Sequence, residues 1–318
     1  MGAFPYMANG IGRLCVFDNM TAASLAQHSC SSSRVLAKRI HKRTIQPRAV
    51  STQSSRAWLD RQHKDPYVLK AQELGLPSRA YFKLEEINEK LLHRAIVKKH
   101  KANARPRLIL NNMLVLDLGA APGGWSVYAS TQLDHNAGGA VVSVDLLPLD
   151  FNVTDRIQHE LNGRFEFIQG DFTHNNTRRD IIDAFGRLSS DRDLTQAHVV
   201  TSLTSTKQQK ANLIISDMAA NFTGDSSTDA IQTINLCEQS LAFAASGDCF
   251  DTSYSPENGD GMLMKTGSFL CKYFTCGEEN ERDLMSAARR VFQSIHKLKP
   301  SASRKESSEM YLLGFNRK

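Results

Sequence analysis

The sequence predicts an α/β protein with a mostly parallel sheet and helices on both faces. Three observations point there. Apolar runs of strand length alternate with segments of helical periodicity. The first strong strand runs straight into a turn of small residues, "GAAPGG". Four successive strand-like runs then end at, or just before, an aspartate. Such alternation builds parallel sheets from crossover units, and open sheets of this kind bind ligands at the carboxyl ends of their strands.

The elements follow in order. In "SRAYFKLEEINEKLL", Tyr81, Leu84, Ile87 and Leu91 recur at spacings of three and four, and Ser78 suits an N-cap. Strands are expected in "MLVLDLG", "GGAVVSVDLL", "FEFIQGDF", "ANLIISDMAA", "GSFLCKYF" and "EMYLLGFNRK". Helices are expected over 124–132, 229–245 and 280–292. The polar, weakly periodic stretches 174–210 and 247–261 read as insertions.

Residues 1–55 differ from the rest. Asp18 is the only acid there, against Arg13, Arg34, Lys38, Arg39, Lys42, Arg43 and Arg48. A Ser-rich, Arg-rich, acid-poor stretch in which Val35, Leu36 and Ile40 share a helix face is the pattern of a mitochondrial transit peptide. A basic tail that touches RNA is the competing reading. The remaining residues, 56–318, form the expected catalytic domain.

The chain of 318 residues has 39 Lys and Arg against 33 Asp and Glu, a net charge of +6. That balance suits a polyanionic partner without proving one. None of the six cysteines forms a C-x-x-C pair, so neither a metal site nor a disulfide framework is expected, and a reducing compartment is. No apolar run approaches the ~20 residues of a membrane span.

The turn excludes two common nucleotide ligands. A dinucleotide fingerprint needs G-x-G-x-x-G, and "GAAPGG" lacks its second glycine; a P-loop needs Gly-Lys-Ser/Thr, and Gly-Gly-Trp stands here instead. S-adenosylmethionine (SAM) is the remaining candidate. It carries a sulfonium, an amine and ribose hydroxyls, so its site calls for small residues and carboxylates. Asp117, Asp145, Asp171 and Asp217 supply four carboxylates at consecutive strand ends. Each alone could be an ordinary turn residue.

The motifs "SRAYFKLEEI", "VLDLGAAPGGWS", "VDLLPLD", "QGDF", "ISDMAANFTGD", "GSFLCKYF" and "SSEMYLLGFNRK" occur in the order found in FtsJ-like RNA 2'-O-ribose methyltransferases, and the chain resembles that family from Trp58 to Lys318. With its basic leader it looks most like the family's mitochondrial branch. The resemblance implies a Rossmann-like SAM-dependent methyltransferase fold with a seven-stranded sheet. It implies SAM as cofactor, bound by Gly123, Trp125, Asp145, Asp171 and Asp217. It also implies a catalytic tetrad of Lys83, Asp217, Lys272 and Glu309. "MLMKTGSFLCKYF" offers both Lys265 and Lys272; the family places its lysine three residues after the Phe of Gly-Ser-Phe, which is Lys272. Independently of the family, a lysine amid Phe269, Leu270, Tyr273 and Phe274 is costly unless it is paired.

The implied reaction is methylation of a ribose 2'-hydroxyl, on a uridine of the A-loop of mitochondrial large-subunit rRNA. The implied partner is that rRNA or a precursor of the large ribosomal subunit, and a monomer is compatible. Expected phosphate contacts are Arg61, Lys64, Lys70, Arg79, Lys98, Lys99, Lys101, Arg105, Arg107, Arg304 and Lys305, with Tyr67, Tyr81 and Phe222 as candidate stacking surfaces. The family's D-M-A-P-N reads Asp-Met-Ala-Ala-Asn here, with Ala220 in place of the proline. An amino-group methyltransferase would instead carry Asp/Asn-Pro-Pro-Tyr/Phe. A tRNA-directed member of the family and an assembly factor that binds rRNA without needing to methylate it are the other readings.

Overall fold

The computed structural model describes residues 63–91, 107–195, 210–221, 223–246, 261–275 and 277–318. The leader and most of the 247–261 stretch lie outside these residues.

Seven strands form one sheet in the order β3-β2-β1-β4-β5-β7-β6. They are β1 (Leu114–Leu118), β2 (Ala140–Asp145), β3 (Phe165–Gln169), β4 (Ala211–Ser216), β5 (Leu263–Phe274), β6 (Phe292–Leu298) and β7 (Glu309–Arg317). The first five are parallel; β7 runs antiparallel between β5 and β6. The chain moves outward from β1 to β3 on one side and from β4 to β5 on the other. The crevice at the carboxyl ends of β1 and β4 is therefore the switch point of the sheet.

Helices cover both faces. α1 (Pro66–Glu73), α2 (Ala80–Glu86), α3 (Gly124–Gln132) and α4 (Phe151–Glu160) precede β3, and α5 (Asn175–Thr195), α6 (Ser226–Ser246) and α7 (Glu278–Val291) follow it. One core packs Leu114, Leu116 and Leu118 of β1 against Ile181 and Phe185 of α5, Ile234 and Leu241 of α6, and Leu284 of α7. The other packs Val115 against Val127 of α3, Ile157 of α4 and Leu84 of α2. The alternation along β1 is the pleat itself, which sends successive side chains to opposite faces.

Three differences from the sequence reading have physical causes. The start of the supposed insertion at 174–210 is α5. Ile181, Ala184, Phe185 and Leu188 form its buried apolar stripe, with Thr177 and Arg178 buried at its start, a helical pattern hidden in a polar segment. β6 was not expected. It is an edge strand paired only with β7, so its middle residues, polar apart from Ile295, are partly or fully exposed. β5 starts four residues before Gly267, and its register against β4 jumps from Ala211↔Leu263 to Leu213↔Ser268. That bulge exposes Lys265 while Lys272 stays buried, 7 % exposed. The two lysines are thereby sorted.

Candidate active site

The glycine turn is fixed by backbone bonds to β2, Gly119 and Ala120 both donating to the Val144 carbonyl. Gly119 has φ +73°, and a Cβ there would lie 1.9 Å from Met218 Cγ, so a larger residue would strain the backbone and displace Met218. Gly124 opens α3, where a Cβ would meet Ser78 Oγ at 2.3 Å; its absence lets α2 approach.

The turn borders a cavity of about 730 Å³ at the carboxyl ends of β1, β2 and β4, lined among others by Gly119, Asp145, Asp171, Asp217 and Met218. Asp145 accepts from the amides of Ala121 and Leu147, each at 2.8 Å, tying the turn to the end of β2. Asp171 accepts from Thr173 N and Oγ1 at 2.9 and 2.7 Å. Asp117 accepts from Ser126 Oγ at 2.6 Å, but its other oxygen is buried with no partner among the described residues. Burial, followed by the nearby charges of Asp217 and Asp145, pushes its carboxyl up to about 7.

Gly123 and Trp125, expected at the cofactor, do not line this cavity. Gly123 has φ +106°, and a Cβ would strike Val153 Cγ1 at 2.5 Å; it turns the chain into α3. Trp125 is 2 % exposed and donates from Nε1 to the Ala80 carbonyl at 2.9 Å. Its ring lies 5.7 Å from that of Tyr311. Trp125 is thus a core residue, packed between α2 and Tyr311.

Lys83, Asp217, Lys272 and Glu309 come from α2, the end of β4, β5 and β7, and they meet. Lys83 Nζ lies 2.8 Å from Glu309 Oε2 and 3.4 Å from Asp217 Oδ2. Lys272 Nζ lies 3.1 Å from Asp217 Oδ1 and also donates to the Asp217 carbonyl. Lys83 is not a solvated helix residue, since its side chain is only 10 % exposed. Burial alone would lower the Lys83 ammonium, but Asp217 and Glu309 outweigh it and hold it above the usual lysine value. Burial likewise opposes ionisation of Asp217, yet Lys272 and Lys83 hold its carboxyl below the usual range.

Two residues at this centre were not found from sequence. Tyr311 OH lies 2.7 Å from Asp217 Oδ1 and 3.1 Å from Glu309 Oε1. Burial, then the two carboxylates, keeps the phenol neutral, well above its ordinary value. It stands two residues from Glu309 in β7, on the same face, and that spacing was the available signal. Ser303, in the turn before β7, donates to Glu309 Oε1.

Of the expected phosphate contacts, Lys64, Arg79, Arg304 and Lys305 converge on a second cavity of about 490 Å³. Lys70 instead lies over the Phe82 ring, 4.5 Å from its centroid. Tyr81 packs edge-on against Tyr128. Arg61, Phe222, Lys98, Lys99, Lys101 and Arg105 lie outside the described residues. Among those described, no cluster suited to a metal ion occurs and no helix is long and apolar enough to cross a membrane.

A doubly wound sheet with a carboxylate-lined cavity at its switch point and no phosphate cradle has the architecture of Rossmann-like methyltransferases. Residues 76–317 match the FtsJ-like methyltransferase family, and the chain belongs to it. It is 35% identical to the ribosomal RNA large subunit methyltransferase E of Rickettsia peacockii over 270 residues, covering 84% of this chain and 91% of that protein. The protein of the same description from Rickettsia rickettsii (strain Sheila Smith) is 36% identical over the same length. A solved structure described as a ribosomal RNA methyltransferase from Plasmodium falciparum aligns with 76% of this chain and 98% of its own at 20% identity, TM-score 0.43.

The chain is thus a methyltransferase, and SAM is the methyl donor of this class. The cavity fits it. It is large enough for a ligand of that size, it is bordered by a glycine whose replacement would displace Met218, and its carboxylates suit a cationic ligand.

Proposed function

We propose that the chain methylates a ribose 2'-hydroxyl of large-subunit ribosomal RNA. The observation that carries this is the meeting of Lys272, Asp217, Lys83 and Glu309 at the edge of the cofactor cavity, which Asp217 itself lines. The rRNA acceptor is inferred from the description of the Rickettsia relatives. The finer reading is a uridine of the A-loop, in mitochondria, with residues 1–55 as the import signal.

Bound SAM supplies an electrophilic methyl group. The protein's task is to align and deprotonate a weakly acidic hydroxyl. Lys83, held as an ammonium by two carboxylates, is a poor base. Lys272 is left to orient the hydroxyl and take its proton as the C–O bond forms and the C–S bond breaks. Asp217 holds the resulting ammonium, and the proton leaves to solvent with product release. A base so placed contributes ~10²–10⁴-fold.

The test is methyl transfer. The full chain is given labelled SAM with large-subunit rRNA, free and in precursor particles, and the label is mapped by digestion and mass spectrometry. One 2'-O-methylated uridine, absent with Lys272→Ala, supports the reading. Transfer only to tRNA moves the substrate within the family. Binding of rRNA without any transfer favours an assembly factor. Fusion of residues 1–55 to a fluorescent reporter tests import, and a reporter that stays outside mitochondria removes that part.

A further inference from the structure

One face of α2 carries Arg79, its N-cap, then Lys83 and Glu86, spaced by four and three residues. All three reach the same stretch of chain, the connection from β6 to β7 and its end at Glu309. Arg79 donates to the Ala302 carbonyl, and Lys83 pairs with Glu309 at 2.8 Å. Glu86, the last residue of α2, accepts from Ser301 Oγ at 2.6 Å through one oxygen and from Ala302 N at 3.0 Å through the other. An ionised carboxylate is suited to two such donors at once, because it only accepts.

The connection has little order of its own. Residues 299–308 hold neither helix nor strand. Their backbone bonds are local, Ser303 N to the Pro300 carbonyl at 3.0 Å and Ser307 N to the Arg304 carbonyl at 3.1 Å. Such bonds close turns without placing them on the rest of the fold. Placement comes from acids far away in the chain. Glu86 holds Ser301 and Ala302, and Asp65 receives both Arg79 and, at 3.2 Å, Arg304 Nε. Ala302 is fully buried as a result.

What this secures is the next residue. Ser303 donates to Glu309 Oε1, which Tyr311 OH also meets at 3.1 Å, while Oε2 holds Lys83. If the Glu309 carboxylate turned away, Lys83 would be left to Asp217 alone, where it lies 3.4 Å from Oδ2. It would then compete with Lys272 for that carboxylate.

We propose that Glu86 is a positioning residue for methyl transfer: by holding Ser301 and Ala302 it places Ser303 on Glu309, and so keeps Lys83 shared between Glu309 and Asp217. This rests on the tetrad as the catalytic centre. Glu86 itself touches none of the four.

The experiment measures methyl transfer by the full chain at a temperature where every variant is folded, with the RNA that the wild type labels best. Glu86→Ala is expected to lower kcat ~10–100-fold, because a shift of ~1 Å in a catalytic group costs up to about 10²-fold. KM for the cofactor should stay at the wild-type value. Glu86→Ala combined with Ser303→Ala should be no slower than the slower single variant, since both act through one contact. Glu89→Ala, an exposed acid three residues further on, is the control and should match the wild type. Should Glu86→Ala not fold, Glu86→Gln, which keeps one acceptor oxygen, is read by the same criteria. A wild-type kcat, a matching rise in KM for the cofactor, or losses that multiply in the double variant would each overturn the proposal. Label on tRNA alone changes the substrate and leaves the comparison intact. A wild type that labels no RNA removes the proposed reaction; crystal structures then decide, and Ser303 still bonded to Glu309 in Glu86→Ala would overturn the role of Glu86.

Discussion

Lys83 Nζ sits 2.8 Å from Glu309 Oε2, joining residues 226 positions apart across α2 and β7. Both side chains are about one-tenth exposed or less, so neither charge is well hydrated without the other. Removing one partner of a buried pair is strongly destabilising, by about 3–5 kcal/mol. Lys83→Met is therefore expected to lower unfolding stability on that scale in a denaturant titration. Combining it with Glu309→Leu should recover much of the loss while methyl transfer stays impaired. Recovery of activity with stability would show that the pair only holds the fold.

Lys272→Ala removes the group assigned to the hydroxyl and its proton. The expected outcome is a fall in kcat of at least ~10²-fold. Cofactor affinity should persist, because the glycine turn and Asp145 are untouched. Single-turnover methyl transfer alongside cofactor titration checks this, and equal losses in both would assign Lys272 to binding instead.

Ser303 touches no acceptor in this proposal except through Glu309, so it is a positioning residue. A hydrogen bond to a charged group is worth about 1.5–3 kcal/mol. Ser303→Ala is expected to cut kcat by ~10–100-fold with little change in KM for the cofactor. A proportional rise in that KM would contradict the assignment.

Asp117 gives a pH dependence with a definite sign. Its carboxyl is raised in the fold to about 7 from 3.8. The folded state therefore holds a proton that the unfolded chain releases, and stability from this group declines as pH rises from about 4 to about 7. Asp117→Asn removes the decline. The variant should gain in Tm relative to wild type as pH rises through this window and hold the gain above it. A difference in Tm independent of pH would contradict the raised value.

Lys272 was legible as a buried, paired lysine because a single charge in "SFLCKYF" is anomalous by itself, and Asp217 stands out the same way after "LIIS". The central parallel strands β1, β2 and β4 were legible because they are buried on both faces and read as nearly continuous apolar runs. Lys83 was less so. Its helix shows ordinary periodicity, and nothing local says that α2 turns this position toward β7. Trp125 misled because one glycine turn serves both packing and binding, and sequence does not separate the backbone that faces a ligand from the side chain that faces the core. Ser303 sits in "KPSASRKESS", a stretch that looks like any exposed turn. Its burial follows from Glu86 and Asp65, residues more than two hundred positions earlier.

Arg317, one residue from the chain end, donates to the carbonyls of Ala245, Gly261 and Leu263. It pins together both ends of the segment between α6 and β5. With those two ends held together, lengthening the connection between them costs only ~0.6 kcal/mol per doubling of length. The position is therefore a natural port for grafting. Foreign sequence placed between 247 and 260 should leave catalysis intact, whereas deleting the last two residues should not.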